Sequence, residues 1–322
     1  MPAHPFDPAE TLLATDLDLG RPFTRRQALG AGLDSRRLRR IVESGLLRRP
    51  LEAVYCASAL PDTLALRLAC LRLVVPERCV VTDRSAAWLH GATMALPPNS
   101  HLRVPRLSVF HAPGNRLRNE LTASGERMLL DSDVVDIDGV RVTTPLRTAC
   151  DLGRLLHRDS AFAALDALLR LGSFSHDELI LAVERFHGYR GVRQLRVFAP
   201  LADAGAESFG ESVLRLRWYD ACLDVLPETQ VRVIDADGRR TAYLDLGSRT
   251  WRYAVEYDGA AFHGPEHAEP DRRRRAWIRS ELGWTVDVFR QADVFGRKQR
   301  ADLRIREGLA RAKVRFCAGS AS

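Results

Sequence analysis

Between residues 207 and 289 the chain passes through a predicted helix, three strands, a second helix and a fourth strand, with acidic residues in order along the series. The helix is expected from about Glu207 to Asp220, with Glu207, Glu211, Leu214 and Trp218 on one stripe. A strand, TQVRVIDA, and an Asp237-Gly238 turn lead to a strand around Ala242 to Leu246 that carries Asp245. WRYAVEYDG is rich in aromatic and β-branched residues, and in an extended strand its Glu256 and Asp258 point to the same side. His263 follows, Asp271 opens the basic helix DRRRRAWIRSELG, Gly283 stops it, and WTVDVF returns as a strand. This α-β-β-β-α-β order predicts a central sheet flanked by helices, with Glu211, Asp245 and Glu256 converging at one end.

Such a grouping suits phosphodiester hydrolysis. A hard divalent cation takes oxygen ligands, and carboxylates on adjacent strands supply them. A bound metal polarises a phosphoryl oxygen and lowers the pKa of a water that attacks in line. A nearby His or Arg stabilises developing charge or protonates the leaving oxygen. Single acidic residues at strand edges are ordinary; the ordered set is what points to a site.

The N-terminal segment carries a different signal. Thr24 can cap a helix running to about Ala31, which Gly32 ends, and Asp34 or Ser35 can cap a second running to about Ser44. Leu38, Ile41 and Val42 share one face of the second helix, while Arg36, Arg39 and Arg40 point largely away from it. LLRRPLEAVYCA then alternates loosely, as a β-wing with Arg48 and Arg49 would. A helix-turn-helix fits this pattern, and so does a helical hairpin whose arginines are solvated surface.

Composition bounds the rest. The 322 residues, 46% hydrophobic and 28% charged, suit a multidomain soluble protein of α+β class. The net charge of +7 favours an anionic partner, and only Lys298 and Lys313 among the 48 basic residues are lysines. The six cysteines are scattered without a C-x-x-C pair, so buried thiols are expected rather than zinc ligands or a disulfide framework. Nothing resembles a signal peptide or an 18-residue apolar span, so the expected setting is the cytoplasm, with no membrane contact and no organic cofactor. Three domains are expected, 1–60, 61–202 and 203–322, the last opening after PLADAGAES. In the mixed α/β middle, helices are expected near 62–74, 83–90 and 160–171, with strands at HLRVPR and VVDIDGVRVTT. His90, His101 and His111 lack ligand spacing and read as structural or surface residues.

The run FTRRQALGAGLDSRRLRRIVESGLLRRPLEAVY resembles the N-terminal winged-helix domain of AbiEi-type abortive-infection antitoxins. TDRSAAWLHGA and VTTPLRTACDLGR resemble the region that follows it, so the likeness covers roughly the first 155 residues. It implies DNA binding, here by Arg36, Arg39, Arg40, Arg48 and Arg49, and a toxin-like protein partner.

Residues 205–298 resemble very-short-patch-repair endonucleases of the PD-(D/E)XK superfamily through GESVLRLR, the strand with Asp245, AVEYDGAAFHG, the helix from Asp271 and ELGWTVDVFR. The resemblance makes Glu211 the helix carboxylate, Asp245 the main metal ligand and Glu256 the second acidic position. Asp258 and His263 fall at catalytic or metal-proximal positions, and Arg272 stands beside Asp271. The implied metal is Mg2+ or Mn2+, on Asp245, Glu256 and Asp258. The usual lysine, two residues after Glu256, is replaced by Asp258. Either His263 or Arg272 takes its place, or an extra carboxylate binds a second metal, or the site is degenerate. Arginine does not deprotonate and can only clamp phosphate, so His263 is the preferred acid/base. The leading expectation is a metal-dependent DNA endonuclease. The alternatives are a non-catalytic, antitoxin-like regulator with a retired nuclease fold, and RNA processing.

Overall fold

The computed structural model describes residues 6–95, 107–111, 122–259 and 268–319, and the chain forms two compact units, Met1–Leu152 and Gly153–Ser322. The first begins with α1 (Pro8–Leu13), β1 (Phe23–Thr24), α2 (Arg25–Gly30), α3 (Ser35–Glu43), β2 (Leu47–Leu51) and β3 (Val54–Ala57). Thr24 caps α2 in a reciprocal capping box with Gln27, and the Asp34 side chain accepts from the Arg37 amide to cap α3. Gly32 and Gly45, both at positive φ, end the two helices. The three strands pair antiparallel in the order β1-β3-β2 over a core of Leu12, Phe23, Ala28, Leu38, Ile41 and Leu47.

The rest of this unit comprises α4 (Leu64–Arg72), β4 (Val80–Val81), α5 (Asp83–Leu89), β5 (Leu107–His111), β6 (Thr122–Glu126), β7 (Val134–Ile137), β8 (Val140–Thr143) and most of α6 (Pro145–Leu155). Its five-stranded mixed sheet has the order β6-β5-β4-β8-β7, and Asp138 and Gly139, both at positive φ, turn β7 into β8. Leu51 and Val54 pack in one cluster with Leu68, Leu71, Val81 and Val142, so the expected boundary at residue 60 runs through a shared core. The expected strand at HLRVPR, His101 and the His111 side chain lie outside the described residues. His90 is structural: its Nε2 lies 2.7 Å from the Thr143 carbonyl, and burial lowers its pKa.

The second unit adds α7 (Arg158–Leu169), α8 (His176–Val183), α9 (Val192–Phe198), α10 (Phe209–Ala221), β9 (Glu228–Ile234), β10 (Thr241–Ser248) and β11 (Tyr253–Asp258). It ends with α11 (Ala268–Ser280), β12 (Thr285–Arg290), α12 (Gln291–Val294) and α13 (Ala301–Gly319). The stretch before α10 is a bend inside this unit rather than a linker between units: Arg215 of α10 pairs with Asp166 of α7 at 2.5 Å, both fully buried. Four strands lie in the order β12-β11-β10-β9, with β11 and β12 parallel and the other pairs antiparallel. One face packs on α10 and α13 through Val213, Leu214, Trp218, Val255, Ile305 and Leu309. The other packs on α11 through Ala254, Trp277, Ile278 and Val286.

Four of the six cysteines, Cys56, Cys70, Cys79 and Cys150, are buried, and among the described residues no helix is long and apolar enough to cross a membrane.

Candidate functional site

On the N-terminal side, burying Leu38 and Ile41 turns the arginines of α3 outward. Arg36 is exposed and makes no hydrogen bond or ion pair among the described residues. Arg39 pairs with Glu43 at 2.7 Å, Arg37 lies 3.6 Å from Asp34, and Arg40 covers the Phe6 ring at 4.0 Å. Arg49 is exposed on β2, with its guanidinium 5.7 Å from the Tyr55 ring centroid. Arg48, expected to face DNA, is turned inward: its Nη2 donates to the Leu60 carbonyl at 2.8 Å and its buried Nε has no partner. Arg48 is half-buried between the buried Leu47 and the exposed Arg49, and the bond to Leu60 holds it against the segment that follows β3. Arg26 on α2, not singled out by the sequence pattern, is exposed and, like Arg36, makes no hydrogen bond or ion pair among the described residues. Its signal was available in the exposed face of a helix that caps directly before α3.

In the second unit the carboxylates arrive from three elements. Leu244 packs on the α11 side of the sheet and Leu246 on the α10 side, so the alternation of β10 breaks at Asp245. Opposite it on β9, Gln230 has a φ of 48°, a left-handed conformation that marks the same irregularity. Asp245 is thereby half-buried beside β11, where its Oδ2 accepts the Tyr257 amide at 2.8 Å. Burial first, then the charge of Glu211, and more weakly that of Glu256, push its pKa up to about 7; the Tyr257 bond and Arg274 oppose the rise.

Glu211 lies in the first turn of α10, where its Oε2 accepts the Glu207 amide at 2.9 Å and stands 3.4 Å from Gln230 Nε2. Burial raises its pKa as well. Glu207, expected on the same helical stripe, lies ahead of the Ser208 cap and pairs with Arg170 at 3.2 Å. Gly210 permits the approach of α10 to β11, since a Cβ there would stand 2.1 Å from the Tyr257 ring.

Glu256 is brought to the same region but is already engaged. Its Oε1 receives Arg274 at 2.9 Å and its Oε2 receives Arg275 at 2.8 Å. Arg272 is turned to the exposed side of α11, 3.5 Å from Glu269; Arg274 and Arg275 hold the inner side. Helical geometry explains the difference, since four successive arginines cannot share a face. Asp271 lies within α11 rather than opening it. Asp258 lies at the end of β11, 3.7 Å from Arg290, and His263 lies outside the described residues.

Among the described residues, no three His, Cys, Asp or Glu side chains are grouped closely enough to hold a metal ion. Asp245 and Glu211, half-buried acids with no ion pair among the described residues, suit a hard cation; Glu256, with both oxygens on arginines, does not. The expected metal set Asp245, Glu256 and Asp258 is therefore not assembled as such.

Residues 78–200 match the family model described as the AbiEi antitoxin C-terminal domain. The match begins at the five-stranded sheet, runs through α9, and stops before α10. Two Mycobacterium tuberculosis proteins, described as uncharacterized protein Rv2248 (strain H37Rv) and uncharacterized protein MT2308 (strain CDC 1551), are each 32% identical over 274 residues. Each alignment covers 85% of this chain and 96% of the relative, and so takes in both units. The chain belongs to the family of these mycobacterial proteins and carries, over residues 78–200, a match to the AbiEi antitoxin C-terminal domain.

Proposed function

We propose that this protein is a DNA-binding regulator of the antitoxin kind. The observation that carries the reading is the face made by α2 and α3, where Arg26 and Arg36 are exposed and make no hydrogen bond or ion pair among the described residues. The element order α1-β1-α2-α3-β2-β3, with two capped helices followed by a strand pair, is compatible with a winged helix-turn-helix and supports that reading. In that arrangement α3 enters the major groove, Arg36 reaches base edges or phosphate, and Arg49 on the wing meets the backbone. The antitoxin match over 78–200 supports the regulatory role and a toxin-like protein partner. A reporter driven by the protein's own promoter tests the reading. Repression by the parent and release in Arg26→Ala/Arg36→Ala are expected; equal expression with and without the parent contradicts it.

A second reading, metal-dependent endonuclease activity, is favoured by Asp245. It is a half-buried acid at a strand irregularity, beside Glu211 and with no ion pair among the described residues. The α10-β9-β10-β11-α11-β12 order agrees with the sheet-and-helix core of the PD-(D/E)XK resemblance. A bound Mg2+ or Mn2+ would supply Lewis acidity for phosphodiester hydrolysis. Asp245 and Glu211 would hold it, Arg274 and Arg275 would clamp phosphate on leaving Glu256, and His263 would carry the proton. Calorimetric metal binding and plasmid nicking that both vanish in Asp245→Ala support this reading; a parent that neither binds metal nor nicks contradicts it.

A further inference from the structure

At the end of the C-terminal sheet away from the carboxylates, the start of β12 opens into a cleft of about 400 Å3 between α11 and α13. Arg279 and Ser280 line one side and Arg311 and Arg315 the other, with Thr285 and Asp287 between. A second hollow of about 290 Å3 shares Thr285 and Arg315 with it and adds Trp251, Arg252 and Phe316. Thr285 pairs with Tyr253 at one end of the β11–β12 ladder and Arg290 with Asp258 at the other. At about 3.3 Å per residue, Thr285 lies about 10 Å along the strand from Val288, the partner of Glu256.

The arginines here are anchored but not saturated. Arg279 Nη2 donates to the Val286 carbonyl at 2.6 Å, Arg311 Nη2 to Asp287 at 3.1 Å, and Arg315 Nη1 to the Thr285 hydroxyl at 3.3 Å. No other hydrogen bond of these three is found among the described residues, so each fixed guanidinium keeps most of its donors. From Arg311 to the end of α13 there are three basic residues and no acidic one. Beside them the Trp251 and Phe316 rings meet edge to face at 5.7 Å, with Lys313 Nζ 5.3 Å from the Trp251 centroid. Phe316 is 46% exposed, a large apolar ring held in a cationic rim. β12 is a sheet edge, but Arg279 and Arg304 occupy its Val286 and Val288 carbonyls, so the edge is closed to an added strand.

We propose that this cleft binds single-stranded nucleic acid, with phosphates on Arg279, Arg311 and Arg315 and an unpaired base on the Phe316–Trp251 pair. Fixed arginines at close spacing match a polyanion, and an exposed ring in their midst matches a base face. A duplex keeps its base faces stacked inside and offers nothing to that ring. The proposal draws neither on α3 nor on the carboxylates.

The test is fluorescence anisotropy of labelled 12-nucleotide DNA and RNA single strands, a DNA duplex and polyglutamate. Each is titrated with the full-length parent, Arg311→Gln/Arg315→Gln, Phe316→Ala and Arg26→Ala/Arg36→Ala. All substituted positions are exposed, and circular dichroism melts verify that the variants fold. The cleft variants are expected to weaken single-strand binding about tenfold while leaving duplex binding unchanged. Losing two phosphate contacts should also reduce the salt slope by about 1.4. The α2–α3 variant should do the reverse, so failure of the α3 reading and failure of this one are separately visible. Equal DNA and RNA affinity assigns the backbone and base face as the ligand; a preference for one assigns that sugar. No single-strand binding by the parent, unchanged binding by the cleft variants, loss only in the α2–α3 variant, or equal binding of polyglutamate each overturns the proposal.

Discussion

The Tyr257 amide donates to Asp245 at 2.8 Å, and the ring of the same tyrosine occupies the space that a Cβ on Gly210 would need. One residue therefore joins the break in β10 to the first turn of α10, which carries Glu211. Gly210→Ala is expected to push the ring and the strand aside and destabilise the protein by about 1–3 kcal/mol, despite alanine's better helix propensity. Urea unfolding measures this; a variant as stable as the parent would show that the close approach imposes nothing.

Asp245 should make stability depend on pH. Its folded pKa of about 7 lies above the ordinary carboxylate value of about 3.9. Between these values the folded state keeps a proton that the unfolded chain releases. The stability contributed by the neutral acid is complete below about pH 4 and lost as pH rises through about 7. Asp245→Asn removes the ionisation, so it should exceed the parent in stability at pH 8, by an amount on the order of 2–4 kcal/mol, and match it at pH 4. Parallel urea titrations at both pH values decide this, and a gap that does not change with pH refutes it. If Asp245 and Glu211 hold a divalent cation, millimolar Mg2+ at pH 8 should stabilise the parent and leave Asp245→Asn unchanged.

The Asp166–Arg215 pair gives a third prediction. Both residues are buried, and the guanidinium also donates to the Leu201 carbonyl and lies over the Phe162 ring at 4.7 Å. Asp166→Ala leaves a buried cation without its counter-charge and should lose about 3–5 kcal/mol. Asp166→Leu/Arg215→Met, which removes both charges, should recover much of that loss. A double variant no more stable than the single one would mean that the pair fixes the packing of α7 on α10 by its geometry.

Much of this architecture was legible in local chemistry. Thr24, Asp34, Gly32 and Gly45 mark the ends of α2 and α3 because caps and left-handed stops act within a few residues. Asp138-Gly139 marks the β7–β8 turn for the same reason. Features set by packing were not legible. Leu51 and Val54 bind the strand pair to the next core, and Arg215 binds α10 to α7, so neither composition change made a boundary. Inward turning of Arg48 depends on a carbonyl twelve residues away. Likewise, among four consecutive arginines only the fold determines that Arg274 and Arg275 reach Glu256 while Arg272 does not. Sequence order put Glu211, Asp245 and Glu256 in one region, but it could not show that Glu256 is already neutralised.

Salt-dependent binding of the full-length protein to duplex DNA from its own upstream region, compared with Arg36→Ala, tests the central claim most directly. Parent affinity should fall steeply as salt rises from 50 to 200 mM (roughly the range in which phosphate contacts are read). Arg36→Ala should weaken binding by about 1–3 kcal/mol if Arg36 reads a base, or lower the salt slope by about 1 if it contacts phosphate. A parent that does not bind duplex DNA, or an Arg36→Ala variant with the same affinity and slope as the parent, contradicts the account.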